Sequence, residues 1–383
     1  MTAAAVPLAL YVHMPWCVRK CPYCDFNSHQ LKSARPDPGY VAALLRDLEF
    51  EAPLLGARRV ETIFFGGGTP SLFAPEEIAA LLRDLRQRID VAPDAEVTLE
   101  ANPGTIERGR FLGYREAGIN RVSLGAQSFD AEALRLLGRI HSPEDTLRAV
   151  EELRAAGLAN FNLDLMFALP QQTSEAARRD VATAVALQPA HISYYQLSLE
   201  PGTVFHARPP PLPDEEAAWE IQIEGQRLLS EAGFEQYEVS AYARAGARCR
   251  HNLNYWLFGD YIGIGAGAHG KLSVELPHRI LRTAKPKMPG EYQQRIGAAA
   301  APGERQWIEA AQLPFEFMLN ALRLNEGFTY RDFRERTGLD REAVEARLLR
   351  AGGLGLLESI PSGWRPTALG RRFLNDLQAG FLA

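Results

Sequence analysis

The run Leu8-Ala-Leu-Tyr-Val-His-Met-Pro-Trp-Cys17-Val-Arg-Lys-Cys21-Pro-Tyr-Cys24 is an apolar, strand-like segment that opens into a Cys-x3-Cys-x2-Cys loop. Three thiolates within eight residues can hold three irons of a [4Fe–4S] cluster. The fourth iron is then open to a small chelating molecule, to which the cluster can pass an electron. A zinc site would need a fourth ligand, and only His13 is near in sequence. A disulfide would leave an odd thiol and suits a secreted chain better. The spacing therefore predicts a cluster bound by Cys17, Cys21 and Cys24.

Composition fits a soluble protein with a large core. The chain has 383 residues, 46% of them hydrophobic and 23% charged, enough for two domains. A net charge of −5 without a basic block gives no support to nucleic-acid binding, and no nucleic-acid partner is expected. Three of the four cysteines lie in the loop, and Cys249 stands alone. No apolar stretch reaches the ~20 residues of a membrane span. Met1-Thr-Ala-Ala-Ala-Val-Pro lacks the charged start and long apolar run of a secretory signal. A cytoplasmic location is expected, where an oxygen-sensitive cluster is protected.

Short apolar runs alternate with amphipathic helical stretches from residue 8 to about residue 197. The predicted strands are Leu8–His13, Val60–Phe65, Glu96–Glu100, Arg121–Leu124, Phe161–Phe167 and Ile192–Leu197. Helices are predicted over Tyr40–Phe50 and Pro75–Ile89, with apolar residues on one face. Others begin near Thr105, Asp130, Ser142 and Thr173, several behind a capping side chain. Six strand–helix units predict an α/β fold, a parallel sheet wound as a partial (βα)6 barrel of the TIM type. In such barrels the chemistry sits at the C-terminal ends of the strands. Polar groups collect there: Gly66-Gly-Gly-Thr69 after strand two, Glu100 at the end of strand three, and Gln127 after strand four. Arg139 can grip a carboxylate. Asp164 sits inside an apolar run, where burial would be costly without a partner.

This set resembles the oxygen-independent coproporphyrinogen III oxidase branch of the S-adenosylmethionine (SAM) radical superfamily, which includes heme chaperones. The resemblance covers most of residues 8–375. It implies the partial barrel, a [4Fe–4S] cluster and SAM, with the SAM amino and carboxylate groups on the open iron. It also implies that Tyr11, Tyr23, Gly67, Gly68, Thr69, Glu100, Gln127, Arg139 and Asp164 contact SAM. Two features separate oxidase from chaperone. Phe26 stands where the oxidase pattern carries another cysteine. His251-Asn252-Leu-Asn-Tyr255-Trp256 resembles the His-Asn-x-x-Tyr-Trp motif of the heme chaperones, which implies a heme-binding role for these residues. An imidazole can ligate iron or anchor a macrocycle, and Tyr255 and Trp256 can pack a porphyrin edge. Arg248 and Arg250 could meet propionates. Cys249 reads first as a buried structural thiol. The glycine-rich run Tyr261–Gly270 misses the dinucleotide fingerprint and reads as a strand or turn packing near the barrel mouth, with His269 structural.

Pro209-Pro-Pro-Leu-Pro marks a rigid connector, followed by a helix from about Asp214 to Ala232. Glu235–Ser240 reads as strand-like, and residues 284–304 as a polar connecting stretch. Helices over Ala310–Leu324, Tyr330–Thr337 and Arg341–Ala351, a β-wing from Leu354 to Pro366 and a closing helix Ala368–Leu377 outline a small winged-helix-like α+β domain. The division is thus a barrel over 1–208, an extension carrying the heme motif over 209–290, and a C-terminal domain over 291–383. The expected function is a heme chaperone that passes heme to acceptor proteins, by resemblance respiratory ones. Its cluster would serve either SAM cleavage or assembly of a transfer-competent homodimer. The alternative is radical decarboxylation of coproporphyrinogen III. An RNA-modifying SAM radical enzyme lacks the basic patch it would need.

Overall fold

The computed structural model describes residues 6–33, 35–104, 109–275, 279–298 and 303–382. Six parallel strands form the centre in chain order: β1 (Leu8–Met14), β2 (Val60–Gly67), β3 (Val91–Ala101), β4 (Arg121–Gln127), β5 (Phe161–Phe167) and β6 (His191–Gln196). Side chains alternate across each strand, and here the two faces differ in chemistry. Leu10, Val12, Ile63, Phe65, Val97, Leu99, Val122, Leu124, Leu163, Leu165 and Ile192 face the helices in one core. Each such side chain stabilises the fold by roughly 1.5–3 kcal/mol when fully buried. The intervening residues point the other way. Tyr11 of β1 and Tyr195 of β6 line the same cavity as residues of the strands between them, so the sheet is curved around a lumen. The fold is α/β, and the sheet stays open.

The connecting helices are α1 (Gly39–Glu51), α2 (Pro75–Arg88), α3 (Phe111–Ala117), α4 (Ala131–Leu136), α5 (Pro143–Ala155) and α6 (Ser174–Ala186). Asp130, Ser142 and Thr173 each accept backbone N–H groups as caps, satisfying donors a helix start leaves open. The helix start expected near Thr105 lies outside the described residues.

Beyond β6 the chain builds both flanks of the sheet. The helix α7 (Glu215–Glu231), capped by Asp214, leads to the short strands β7 (Glu235–Gln236) and β8 (Ala241–Ala243), which pair antiparallel beside β6. The strand expected over Glu235–Ser240 is cut short because the chain turns back there: Tyr237 N donates to Ala241 O at 3.1 Å and Ser240 N to Glu238 Oε1 at 3.0 Å. After α8 (Arg250–Trp256), β9 (Asp260–Ile264) pairs parallel with the free side of β1. Then β10 (His269–Glu275), β11 (Arg279–Ala284) and β12 (Glu304–Ile308) follow antiparallel, giving the order β12-β11-β10-β9-β1-β2-β3-β4-β5-β6-β8-β7. The stretch 284–304 is therefore more than a connector: it holds α9 (Pro289–Gly297) and opens into β12. Its polarity misled because β12 is an exposed edge strand.

The C-terminal region packs α10 (Leu313–Ala321), α11 (Tyr330–Thr337) and α12 (Glu345–Gly353) on a small sheet of β13 (Phe328–Thr329), β14 (Leu357–Ile360) and β15 (Gly363–Pro366). Phe317, Phe328, Phe333 and Leu348 form its core. The wing starts at Leu357 rather than Leu354, and the closing helix is broken at Phe373.

The β9–β10 flank is held by a buried ion cluster. Asp260 accepts Arg58 at 2.6 Å, Lys271 at 2.9 Å and the Ser273 N–H at 2.8 Å. Burial alone would raise this carboxyl; Lys271 foremost outweighs it and holds the acid below its ordinary value. Asp260→Ala leaves Lys271 buried and unpaired, and should cost about 3–5 kcal/mol, read as a fall in the urea midpoint at unchanged slope.

Candidate functional site

The cysteine loop is clamped between two glycine-rich segments. Gly68 N donates to Met14 O at 2.8 Å and Thr69 N to Trp16 O at 2.7 Å. A Cβ on Gly67, whose φ is +113°, would sit 2.4 Å from the His13 ring, and one on Gly68 2.5 Å from Trp16 O. The closeness these glycines permit is first of all to the chain's own loop. On the other side, a Cβ on Gly265 would lie 2.4 Å from His13 O, and one on Gly267 2.2 Å from Asn27 Nδ2. Asn27 Nδ2 donates to Ala266 O and Lys287 O, both at 2.9 Å.

The donor set around the thiols fits a three-thiolate cluster. Thr69 Oγ1 donates to Cys17 Sγ at 3.5 Å, Arg139 Nη1 to Cys21 Sγ at 3.8 Å, and Ser28 Oγ lies 3.7 Å from Cys24 Sγ. Each sulfur thus has its own polar neighbour, as hydrogen-bonded cluster ligands do. Burial pushes the Cys17 and Cys24 thiols up, so deprotonation would come with metal binding. Among the described residues no three His, Cys, Asp or Glu side chains converge on a single metal-ion position. His13, the fourth ligand a zinc site would need, has Nδ1 3.0 Å from Tyr11 Oη and Nε2 2.9 Å from Asn27 O.

Below the loop opens a cavity of ≈ 920 Å³. All nine residues expected at SAM line it, together with the three cysteines. Glu100 accepts the Gly67 N–H at 3.1 Å. Burial, then the neighbouring Asp164 charge, pushes its carboxyl up to about 8. Asp164 is also raised by burial, and is held by Asn162 Nδ2 at 2.8 Å and Ser123 Oγ at 3.3 Å. These paired acids facing one cavity favour a cationic ligand. Gln127 takes the left-handed φ of +68° and accepts the Tyr195 hydroxyl at 2.7 Å. Arg139 binds Gly125 O at 2.8 Å and Asn102 Oδ1, while Asn102 Nδ2 holds Thr69 Oγ1 at 2.8 Å. Tyr23 packs on Phe205, its phenol raised by burial.

The helix α8 closes the far end. Its first N–H groups, of Arg250 and His251, donate to Glu96 at 3.2 and 3.0 Å. His251 is 1% exposed, with Nδ1 2.9 Å from Thr62 Oγ1 and Nε2 3.1 Å from Tyr255 Oη. Burial lowers this imidazole to about 3, so it is neutral at ordinary pH. Asn252, Tyr255 and Trp256 line the cavity beside it. Cys249 is buried, with its thiol raised to about 12 by burial. Arg248 and Arg250, expected near propionates, lie elsewhere. Arg248, before the start of α8, bridges Glu235 and Glu326, and Arg250, in its first turn, points away from the cavity and reaches Asp94. His269 is exposed on β10 and away from the cavity.

The sequence matches the Radical SAM superfamily profile over residues 11–183 and the HemN C-terminal domain profile over residues 308–373. It is 48% identical to the heme chaperone HemW of Escherichia coli (strain K12), over 98% of both chains. The chain belongs to the HemW family. The Haemophilus influenzae heme chaperone HemW is 46% identical over 98% of both chains. The mitochondrial radical S-adenosyl methionine domain-containing protein 1 of Bos taurus is 38% identical over 85% of this chain and 75% of its own. The structure of E. coli coproporphyrinogen III oxidase HemN superposes with a TM-score of 0.83 over 98% of this chain and 90% of that one, at 24% identity, a likeness of fold.

Sequence reasoning missed several cavity residues of this HemW-family chain. Asn102 joins Thr69 to Arg139, Tyr195 braces Gln127, and Arg323 arrives from the C-terminal region to lie 4.3 Å above the Trp256 ring. For Tyr195 the strand alternation was a usable signal, since it shares a face with His191 and Ser193. For Arg323 nothing in the sequence pointed inward.

Glu100 also sets a pH dependence. Its folded pKa lies above the ordinary value near 4.5, so the folded chain binds the extra proton and stability falls as pH rises through that window. Glu100→Gln should therefore raise Tm by about 2–4 °C at pH 8, with the gain vanishing towards pH 4.5, in thermal melts of the cluster-free protein. Gly68→Ala should block the loop from seating and reduce iron retained after anaerobic reconstitution at least severalfold.

Proposed function

We propose that this chain is a heme chaperone that carries a SAM-ligated [4Fe–4S] cluster and transfers heme to acceptor proteins. One observation carries the reading: a single cavity runs from the three cysteines to His251, Asn252, Tyr255 and Trp256. The names of the relatives at 46–48% identity, both heme chaperones, point the same way.

Cys17, Cys21 and Cys24 would hold the cluster, which supplies an electron and one open iron. The remaining work belongs to the protein. Tyr11, Tyr23, Gly67, Gly68, Thr69, Gln127 and Arg139 would orient SAM at the mouth, and the Glu100–Asp164 pair would favour its positive charge. At the far end, Tyr255 and Trp256 offer flat apolar contact to a porphyrin. His251 would ligate iron only by releasing the Tyr255 hydroxyl; otherwise it anchors the tyrosine against the ring. Its neutrality makes heme retention independent of its protonation between pH 5 and pH 8.

The competing reading, decarboxylation of coproporphyrinogen III, has the HemN-like fold in its favour. Against it, Phe26 occupies the cysteine position and is 58% exposed at the cavity rim. Anaerobically reconstituted protein should bind heme saturably and yield no protoporphyrinogen IX from coproporphyrinogen III, SAM and a reductant. Substrate-dependent protoporphyrinogen IX would make it an oxidase. Cys17→Ala, Cys21→Ala and Cys24→Ala should each abolish the cluster's visible absorption. His251→Ala should weaken heme retention about tenfold or more with the cluster intact; unchanged retention removes its assigned role.

A further inference from the structure

The arginines around the cavity's far end are paired with acids, except one. Arg250 meets Asp94, Arg248 meets Glu235 and Glu326, and Arg323 meets Glu238. Arg121, at the start of β4, is 1% exposed and lines the cavity. Its hydrogen bonds, 2.7 Å to Asn160 Oδ1 and 3.3 Å to Ala247 O, both leave from Nη1 and both go to neutral groups. Among the described residues it has no ion pair. Glu96, the acid of this floor, is already taken up by Cys249 Sγ and the N–H groups of Arg250 and His251. A buried guanidinium with no counter-charge is costly, and its free edge presents a planar fork suited to a carboxylate.

A second group beside it also lacks a partner. Thr98 is the register partner of Arg121 on β3, is fully buried, lines the same cavity, and its Oγ1 makes no hydrogen bond. Buried hydroxyls in native proteins are nearly always bonded. A cation without an anion and a hydroxyl without a partner thus stand side by side on the cavity floor.

We propose that Arg121 and Thr98 form an anion subsite that takes a carboxylate of the bound ligand, which on the heme-chaperone reading is a porphyrin propionate. The subsite sets which ligands the cavity accepts: a porphyrin with free acid side chains over the same macrocycle with those acids masked. It also orients the macrocycle, one carboxylate pointing to the floor and away from the cysteine loop.

The test titrates reconstituted protein with hemin and with hemin dimethyl ester. Wild type should bind the ester about 10- to 100-fold more weakly, the range of a charged hydrogen bond; equal affinities overturn the proposal without any variant. Arg121→Gln should bring hemin down to the level of the ester and leave the ester unchanged, whereas equal loss for both makes Arg121 merely structural and also overturns it. If neither compound binds, the heme reading fails and the subsite is judged by sodium propionate against sodium chloride at equal ionic strength. A rise in Tm in wild type that Arg121→Gln lacks keeps it; no rise ends it.

Discussion

The alternation of side chains along six parallel strands is the constraint on which this molecule rests. One set of positions is apolar and welds the sheet to its helices. The other set places Glu, Asp, Arg, His, Ser and Asn inside the curve, where a barrel is ordinarily packed with branched aliphatic residues. Such a lumen cannot collapse onto itself without burying unpaired polar groups. It stays open, and several of its polar groups are linked in a chain: Ser123 and Asn162 on Asp164, Asn162 on His191, and His191 on Tyr237. The cavity is thus a consequence of the strand pattern rather than of the loops above it.

The two ends of that lumen differ in character. At the mouth, backbone comes close to backbone and each sulfur has its own polar neighbour. At the floor, a short helix presents a neutral imidazole and two aromatic rings. Between them lie the two carboxylates whose protons are held unusually tightly. A cationic group is favoured at mid-height and an aromatic one lower down, so two chemically unlike ligands can share one space without exchanging places.

Much of this was legible in the sequence. Phe161–Phe167 is a strand with the expected ends, Asp130, Ser142 and Thr173 cap helices, and the cysteine spacing leads to the mouth. Every residue expected at SAM, and the four residues of the His251–Trp256 motif expected at heme, border the cavity. What escaped depended on contacts between distant segments. The pairing of β9 with β1 joins residues some 250 positions apart in the chain, which no local pattern encodes. Arg248 and Arg250 looked suited to propionates by proximity to His251, but a helix start turns neighbouring side chains in different directions. Arg121 was hidden at the edge of an apolar run, where a charged residue reads as a strand boundary rather than as the floor of a cavity.

The clamp on the cysteine loop bears on the order in which the protein is made. Asn27 reaches partners 239 and 260 residues further along, at Ala266 and Lys287. The loop therefore emerges from the ribosome long before its second wall exists. Until β9 and the strands after it have docked, the three thiols hang from a half-built sheet. A cluster held by these thiols would meet both walls of its cradle only once the sheet is complete.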